Sequence, residues 1–505
     1  MNDFLSKART QLEDRPTRTM LIFIGVVTVL RLILLFLYDS VLGPDEAQYW
    51  FWSRELDFGY YSKPPVIAWS IALATGLFGD HVWAVRFFSP LMIGGVALAL
   101  YGVGRRLYGD RIGIWAALTW LFLPAVMLGA TMITTAVPLL LFWSLALLSL
   151  VYLAEAPAGG GHKAALGLGA AIGFGLLSKY AMIYFPLGWG LALIVSPYAR
   201  RTLRAGPILI AAAVAAAIFA PNIVWNMQNG LQTLSHTADN ANWSGQFGNP
   251  EELMQFVGDQ FGVVGPLLFA GLLFGVATIR KRVAGSEGRD LFLLSFVLPP
   301  LLIICVQAFL SRAHANWAMT AYPAACVLLC AWFFRIRAGW VIWGSLALHA
   351  TVGFLFTIIL LHMPLADAMG MSNSVKRLRG WEEQADELAA RAAGYDAVIA
   401  DEREVAAHLT WEWRDRHVPL MVADINMHKD NTYEYAFPFE PTPEGRYLLI
   451  RPFDEGFCWY WGRFTSIEEL EPSFVDLHAT RRGRQERTLD VYEVTGWDAS
   501  SNGGC

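Results

Sequence analysis

Two neighbouring stretches, Gly43-Pro44-Asp45-Glu46-Ala47-Gln48-Tyr49 and Tyr60-Tyr61-Ser62-Lys63-Pro64-Pro65, carry an acidic pair, a lone lysine and a dense set of aromatics. Two adjacent carboxylates and a lone lysine stand among aromatics, directly after a long apolar run. A carboxylate beside an apolar span is costly to hold at the acyl boundary, and a plain connection does not need two in succession. Further polar residues recur at the ends of apolar runs: Arg86, Lys179 in Ser178-Lys179-Tyr180, Asn226, His236, and the group Arg312, His314, Asn316 and Trp317. As a set they suit group transfer from a phosphate-activated lipid. Lys63, Lys179 and Arg86 offer positive charge to a departing phosphate. Asp45 suits a base toward an acceptor hydroxyl, with Glu46 as a supporting acid. Tyr60, Tyr61 and Trp317 offer rings for a sugar face or an isoprenoid chain. Plainer roles compete at several positions: Trp50, Trp52 and Trp69 as interfacial anchors, Lys63 and Arg86 as snorkelling cations, His236 and His314 as loop hydrogen-bonders.

The elements that must position these residues are mostly membrane spans. The chain has 505 residues, 55% hydrophobic and 16% charged, with a mean hydropathy of +0.40. Soluble domains carry roughly a quarter charged residues, so a multi-spanning membrane protein with a water-soluble remainder is expected. A run over about 19–38 meets the ~20 residues needed to cross a bilayer. Its length and lack of a cleavage site mark it as a retained span. Similar runs near 83–104, 112–130, 133–154, 164–180, 182–197, 205–225, 260–279, 290–310, 317–334 and 338–361 predict about eleven transmembrane helices. The stretch 66–79 is too short to cross and reads as an outer-leaflet or re-entrant helix.

Lysines and arginines then set the orientation. With the N-terminus inside, about seventeen fall in inner segments and about four in outer loops before the tail. The polar groups above all lie on the outer side, and an odd span count puts the tail there too. Residues 1–361 are thus expected to form the transmembrane domain, with a first outer catalytic loop at about 39–82, and residues 362–505 a small periplasmic α/β domain. In the tail, 378–393 and 402–414 read as helices, and 395–400, 447–450 and 489–494 as strands. No glycine-rich nucleotide loop follows a strand, so no nucleotide cofactor is expected. The net charge of -5 argues against nucleic acid as a partner. Cys305, Cys326 and Cys330 fall in apolar runs as packed thiols, while Cys458 and Cys505 lie in the polar tail, where a disulfide is open to them.

On these residues the chain resembles bacterial glycosyltransferase family 39/83, which includes the lipid A aminoarabinose transferases and is related to protein O-mannosyltransferases. The resemblance rests on Asp45-Glu46 with Tyr49, Lys63-Pro64-Pro65, Arg86, Ser178-Lys179-Tyr180, Trp225-Asn226 with His236, Gln260 with Gly265-Pro266, and His314-Ala315-Asn316-Trp317. It covers roughly residues 20–335 and implies a GT-C fold in the bacterial inner membrane. It also implies inverting transfer from a polyprenyl-phosphate sugar to an acceptor at the outer face, with Asp45 central. Two positions depart from the family. Ser62 stands where aminoarabinose transferases carry a metal-supporting glutamate, which leaves Glu46, His236 and His314 as the candidate ligands for a divalent metal ion. Ala136 stands where many relatives carry aspartate, so another acid such as Asp239 is needed, or the activity has diverged. The expected partners are a polyprenyl-phosphate sugar donor, a lipid A-like acceptor and membrane lipids. A protein O-glycosyltransferase is the runner-up, and a transporter of lipid-linked saccharide the reading from another class. Transporters place their polar sites near the midplane and often show paired repeats, unlike this one-sided pattern.

Overall fold

The computed structural model describes residues 16–239, 248–279, 285–425, 429–452, 457–480 and 483–501. Asn240, Asn242 and Trp243 lie outside them, as do Lys7, Arg9, Arg15 and Cys505. The chain divides into two compact units. One comprises Met1–Phe36, Asp57–Leu77 and Arg86–Phe356; the other comprises Leu37–Leu56, Phe78–Val85 and Thr357–Cys505.

The first unit is helical. Seven helices among the described residues are long and apolar enough to cross a bilayer: Pro16–Leu37, Val82–Tyr108, Ala136–Glu155, Ala205–Gln228, Arg289–Leu310, Ala315–Arg335 and Gly339–Leu361. An eighth is added if the pair Pro250–Val264 and Pro266–Ala277, bent by 118°, is taken as one span. The expected count of eleven is therefore not reproduced by length. The stretch 112–130 is broken into Asp110–Phe122 and Pro124–Gly129, because Pro124 has no N–H to continue the ladder. The stretches 164–180 and 182–197 become His162–Ser178 and Tyr184–Val195, joined by Lys179 and a short 3₁₀ turn. At the bent pair, Gly265 takes a φ of 95°, a conformation suited to glycine, and Pro266 starts the next helix. Val66–Phe78 has 13 residues, short of a span as its sequence predicts.

Trp120, Trp143 and Trp332 are fully buried in the apolar core of this unit. One charge is buried with them. Asp290, in the first turn of Arg289–Leu310, receives Arg335 Nη1 at 2.6 Å, Trp332 Nε1 at 2.8 Å and the Tyr108 hydroxyl at 2.9 Å. A carboxylate is tolerated there because a cation and further donors satisfy it.

The second unit contains the soluble tail. Its sheet has the order β2-β1-β3-β6-β4, with β1 Ala397–Ala400, β2 Leu420–Val422, β3 Arg446–Arg451, β4 Phe464–Glu469 and β6 Gly483–Trp497. β1 pairs in parallel with β2 and β3, and β6 runs antiparallel to β3 and β4. β5, Ser473–Thr480, is antiparallel to the first half of β6. Helices Trp381–Ala392 and Arg403–Glu412 match the sequence reading. β2, β4 and β5 were not expected: β2 has only three residues, and β4 and β5 mix apolar with polar and charged side chains. Arg451 and Asp401 form a buried ion pair at 2.5 Å, which the Tyr460 hydroxyl joins at 3.3 Å. Cys458 is disulfide-bonded, whereas Cys305, Cys326 and Cys330 are free thiols.

The segment Leu37–Leu56 is built into this same unit. The Val41 amide donates to the Leu378 carbonyl at 3.0 Å. Helix Pro44–Ser53 presents Trp50 edge-on to Trp411, with centroids 4.9 Å apart, and Phe51 to Tyr433 and Phe437. Trp52 Nε1 donates to Thr432 Oγ1 at 3.0 Å. Trp50 and Trp52 are thus packed protein side chains, a correction to the anchor reading: both are buried with their indole N–H groups paired.

Glu412 supplies a pH test of this unit. Burial pushes its carboxyl up to about 7, opposed by Arg414 and assisted by Glu382 and Asp386. The folded value lies above the unfolded one, so the associated stability is full at low pH and is lost as pH rises through about 7. After allowance for solvent screening the loss is ~1–2 kcal/mol. Thermal melting of the purified protein between pH 5 and 8 is expected to show a decline that Glu412→Gln flattens.

Candidate functional site

The candidate residues fall into both units. In the second, helix Pro44–Ser53 starts at Gly43, with Pro44 in the first turn, where its missing N–H costs nothing. Glu46 lies at the third helical position, and its Oε2 accepts the Gly43 amide at 2.9 Å. This carboxylate is buried and serves as a cap. Asp45, one residue earlier, points the other way, with its side chain 64% exposed. Its Oδ1 takes Arg403 Nη1 at 3.0 Å, and the same nitrogen reaches Gln48 Oε1 at 2.7 Å. Adjacent acids have therefore been given separate tasks by their phase on one helix. Trp50 Nε1 donates to Asp80 Oδ1 at 2.7 Å, and Arg54 pairs with the same carboxylate at 3.1 Å.

In the first unit, the loop that leads to Lys63 is tied down at nearly every peptide. The Asp57 amide donates to the Tyr60 hydroxyl at 3.1 Å, and the Tyr60 amide to the Lys63 carbonyl at 3.1 Å. Trp225 Nε1 donates to Asp57 Oδ2 at 2.6 Å, and Trp69 Nε1 to the Asp57 carbonyl at 2.9 Å. Asn222 Nδ2 holds the Phe58 carbonyl at 2.6 Å, and Thr233 Oγ1 the Tyr60 carbonyl at 2.7 Å. Gly59 faces the Trp225 ring so closely that an added Cβ would overlap it. Irregular backbone beside apolar spans must have its polar groups paired by protein, and this loop does.

Lys179 lies in extended backbone where helix His162–Ser178 stops. It is half-buried, and it feels the positive charge of Lys63. The next residue, Tyr180, donates its hydroxyl to Asn222 Oδ1 at 2.9 Å and accepts Asn226 Nδ2 at 3.1 Å. Asn226 is thereby a bracing residue, buried inside the helix junction. Tyr61 packs on the His236 ring with centroids 5.4 Å apart. The structure thus brings Tyr60, Tyr61, Lys63, Lys179, Asn226 and His236 into one neighbourhood. Arg86 is buried at the end of helix Val82–Arg86.

His314, Asn316 and Trp317 form a second group. His314 and Asn316 are exposed, and His314 stands edge-on to Trp317 at 5.2 Å. Buried Gln260 sets this turn: its Nε2 donates to the Ala315 and Phe256 carbonyls at 3.1 Å each, while its Oε1 accepts the Tyr322 hydroxyl. Sequence reasoning missed Asp57, Gly59, Asn222, Thr233 and Arg403. The first four gave no signal because their work is done through long-range pairing. Arg403 is one of several charges on an amphipathic helix. Among the described residues, no three His, Cys, Asp or Glu side chains gather as a metal-ligand set. Glu46 caps its helix, and His236 and His314 each stand against an aromatic ring.

A helical unit with membrane-span helices and a small C-terminal α/β domain give the chain the fold of the GT-C membrane glycosyltransferases. The crystal structure of ArnT from Cupriavidus metallidurans bound to undecaprenyl phosphate superposes with a TM-score of 0.64 at 15% identity, over 96% of this chain and 99% of that one. A family model described as dolichyl-phosphate-mannose-protein mannosyltransferase matches residues 62–225. The lipid A galacturonosyltransferase RgtD of Rhizobium johnstonii is 33% identical over 489 residues, 95% of this chain and 98% of that protein. An undecaprenyl phosphate-alpha-4-amino-4-deoxy-L-arabinose arabinosyl transferase of Pseudomonas fluorescens is 30% identical over 183 residues, 33% of this chain and 32% of that protein. The chain belongs to the family of GT-C glycosyltransferases that contains RgtD and is related to the aminoarabinose transferases and O-mannosyltransferases.

The close approach at Gly59 gives a test of the loop. Gly59→Ala is expected to displace the segment that carries Lys63 and to lower transfer about tenfold, ~1.4 kcal/mol. In a Trp225→Ala background, Gly59→Ala should cost less than it does in the parental protein, as measured by initial rates in membranes.

Proposed function

We propose that this protein is an inverting glycosyltransferase of the bacterial inner membrane that moves a sugar from a polyprenyl phosphate to a lipid A-type acceptor on the periplasmic side. The observation that carries the reading is end-to-end similarity to RgtD together with an outer polar set of Asp45, Lys63 and Lys179 that suits phosphate departure.

Asp45 acts on the acceptor. Its Oδ1 is held by Arg403, and its Oδ2 has no protein partner among the described residues, leaving that oxygen to take the proton of an acceptor hydroxyl. If the acceptor is a phosphate, no base is needed and Asp45 orients it. Lys63 and Lys179 are two cations held near each other, an arrangement that favours the negative charge developing on the departing polyprenyl phosphate. Arg86 adds to that positive field. Tyr60, Tyr61 and His236 shape the donor side; His314, Asn316 and Trp317 contact substrate at a second position. No step is routed through a metal.

A uronic acid, as in the galacturonosyltransferase relative, is the sugar favoured here. Ser62 in place of the aminoarabinose-transferase glutamate removes a negative charge beside Lys63, which suits an anionic sugar better than a cationic one. Residues 1–361 are the transferase domain and 362–505 the periplasmic domain. The disulfide at Cys458 supports this side assignment, since disulfides persist in oxidising compartments.

Asp45→Asn, assayed in membranes with labelled lipid-linked sugar and lipid A, is expected to lower transfer at least ~100-fold. Transfer near the parental rate would sink the assignment of Asp45. Lys63→Met should cut donor turnover by a similar factor. Label appearing on a periplasmic protein, with lipid A unlabelled, would replace the lipid acceptor by a protein one.

A further inference from the structure

We propose that Arg403, in the soluble tail, is a positioning residue for Asp45, so that the tail supplies part of the catalytic lip. This inference rests on the reading of Asp45 as the carboxylate that acts on the acceptor.

Three observations support it. Arg403 is the first residue of helix Arg403–Glu412. A cation there is opposed by the helix dipole, whose N-terminal end is positive, so local helix stability does not explain an arginine at this position. The compensating partner is Asp45, 3.0 Å away and distant in sequence. Second, the guanidinium is itself fixed. The nitrogen that meets Asp45 also donates to Gln48 Oε1 at 2.7 Å, and Gln48 is buried. Asp45 and Gln48 are three residues apart on one helix and face the same side. One arginine nitrogen therefore locks the Asp45 carboxylate onto a rigid frame.

Third, the two helices are clamped well beyond this contact. Trp411 lies eight residues after Arg403 on the same helix face, and meets Trp50 edge-on. The Arg403–Asp45 and Trp411–Trp50 contacts fix both ends of the crossing, while Phe51 and Trp52 engage the 432–437 segment. The carboxylate is left with one oxygen occupied by a permanent cation and one open. A charge-assisted contact of this kind aims the carboxylate, and misplacement of a reacting group by about 1 Å can cost ~100-fold in rate.

The test compares Arg403→Lys, Arg403→Gln and Arg403→Ala in full-length protein, with kcat and KM measured for donor and acceptor. Lysine and glutamine preserve a long side chain and differ in charge, so packing alone predicts equal rates for them. The expected result is a kcat within ~5-fold of parental for Arg403→Lys and at least ~10-fold lower for Arg403→Gln, with both KM values within ~2-fold. In an Asp45→Asn background, Arg403→Gln should cause no further loss, because the two residues act as one unit. Should Arg403→Ala fail to accumulate, the lysine and glutamine pair carries the comparison. Equal kcat for Arg403→Lys and Arg403→Gln, with Asp45→Asn inactive, overturns the role of Arg403 alone. Parental activity of Asp45→Asn overturns the underlying reading of Asp45 as well.

Discussion

Polar backbone next to a hydrocarbon layer has to find its hydrogen bonds within the protein, and the segment from Asp57 to Lys63 depends on that requirement. Its amides and carbonyls are taken by Tyr60, Trp69, Asn222 and Thr233, and the Asp57 carboxylate is taken by Trp225. Tyr60 lies in the loop itself and the other partners come from helices, so the loop inherits their rigidity. Lys63 sits at the end of this tied segment, and Lys179 sits where another helix has stopped. Two ammonium groups held near each other repel.

The acidic side of the chemistry is built by different means. Helix Pro44–Ser53 is a short, rigid platform whose first turn sends two neighbouring acids in different directions. Glu46 closes the helix by accepting the Gly43 amide, and Asp45 is left at the surface with Arg403. The platform is held by aromatic packing and by one buried glutamine, with few flexible side chains involved. This explains how the acidic pair divides: Glu46 is a buried cap, and Asp45 an exposed partner of Arg403. It also explains the density of tryptophans around it, which the sequence alone assigns to the membrane interface.

Much of the outline was legible before any coordinates. Long apolar runs bounded by charged residues identify spans by the transfer cost of polar groups. The amphipathic period of the tail locates helices 381–392 and 403–412. The set of Asp45, Lys63, Lys179 and the His314–Trp317 turn stands out because polar residues are costly where they lie. The number of long spans was less legible, because hydropathy does not see a helix break such as Leu123-Pro124 or the kink at Gly265-Pro266. Strands β2, β4 and β5 were missed because their burial is decided by neighbours far away in sequence.

What the sequence determined by itself was the class of the protein and the set of charged residues at the ends of its apolar runs, because composition and one-dimensional periodicity report directly on transfer from water to hydrocarbon. Which of those residues are reagents and which are braces was decided by tertiary structure. Glu46 became a cap, and Asn226 became a brace for Tyr180. Trp225 became the staple of the lysine loop, and Arg403 became the partner of an aspartate more than three hundred residues away in sequence. Hydrogen bonds and ion pairs are directional and short-ranged, so their partners are fixed only when distant segments meet.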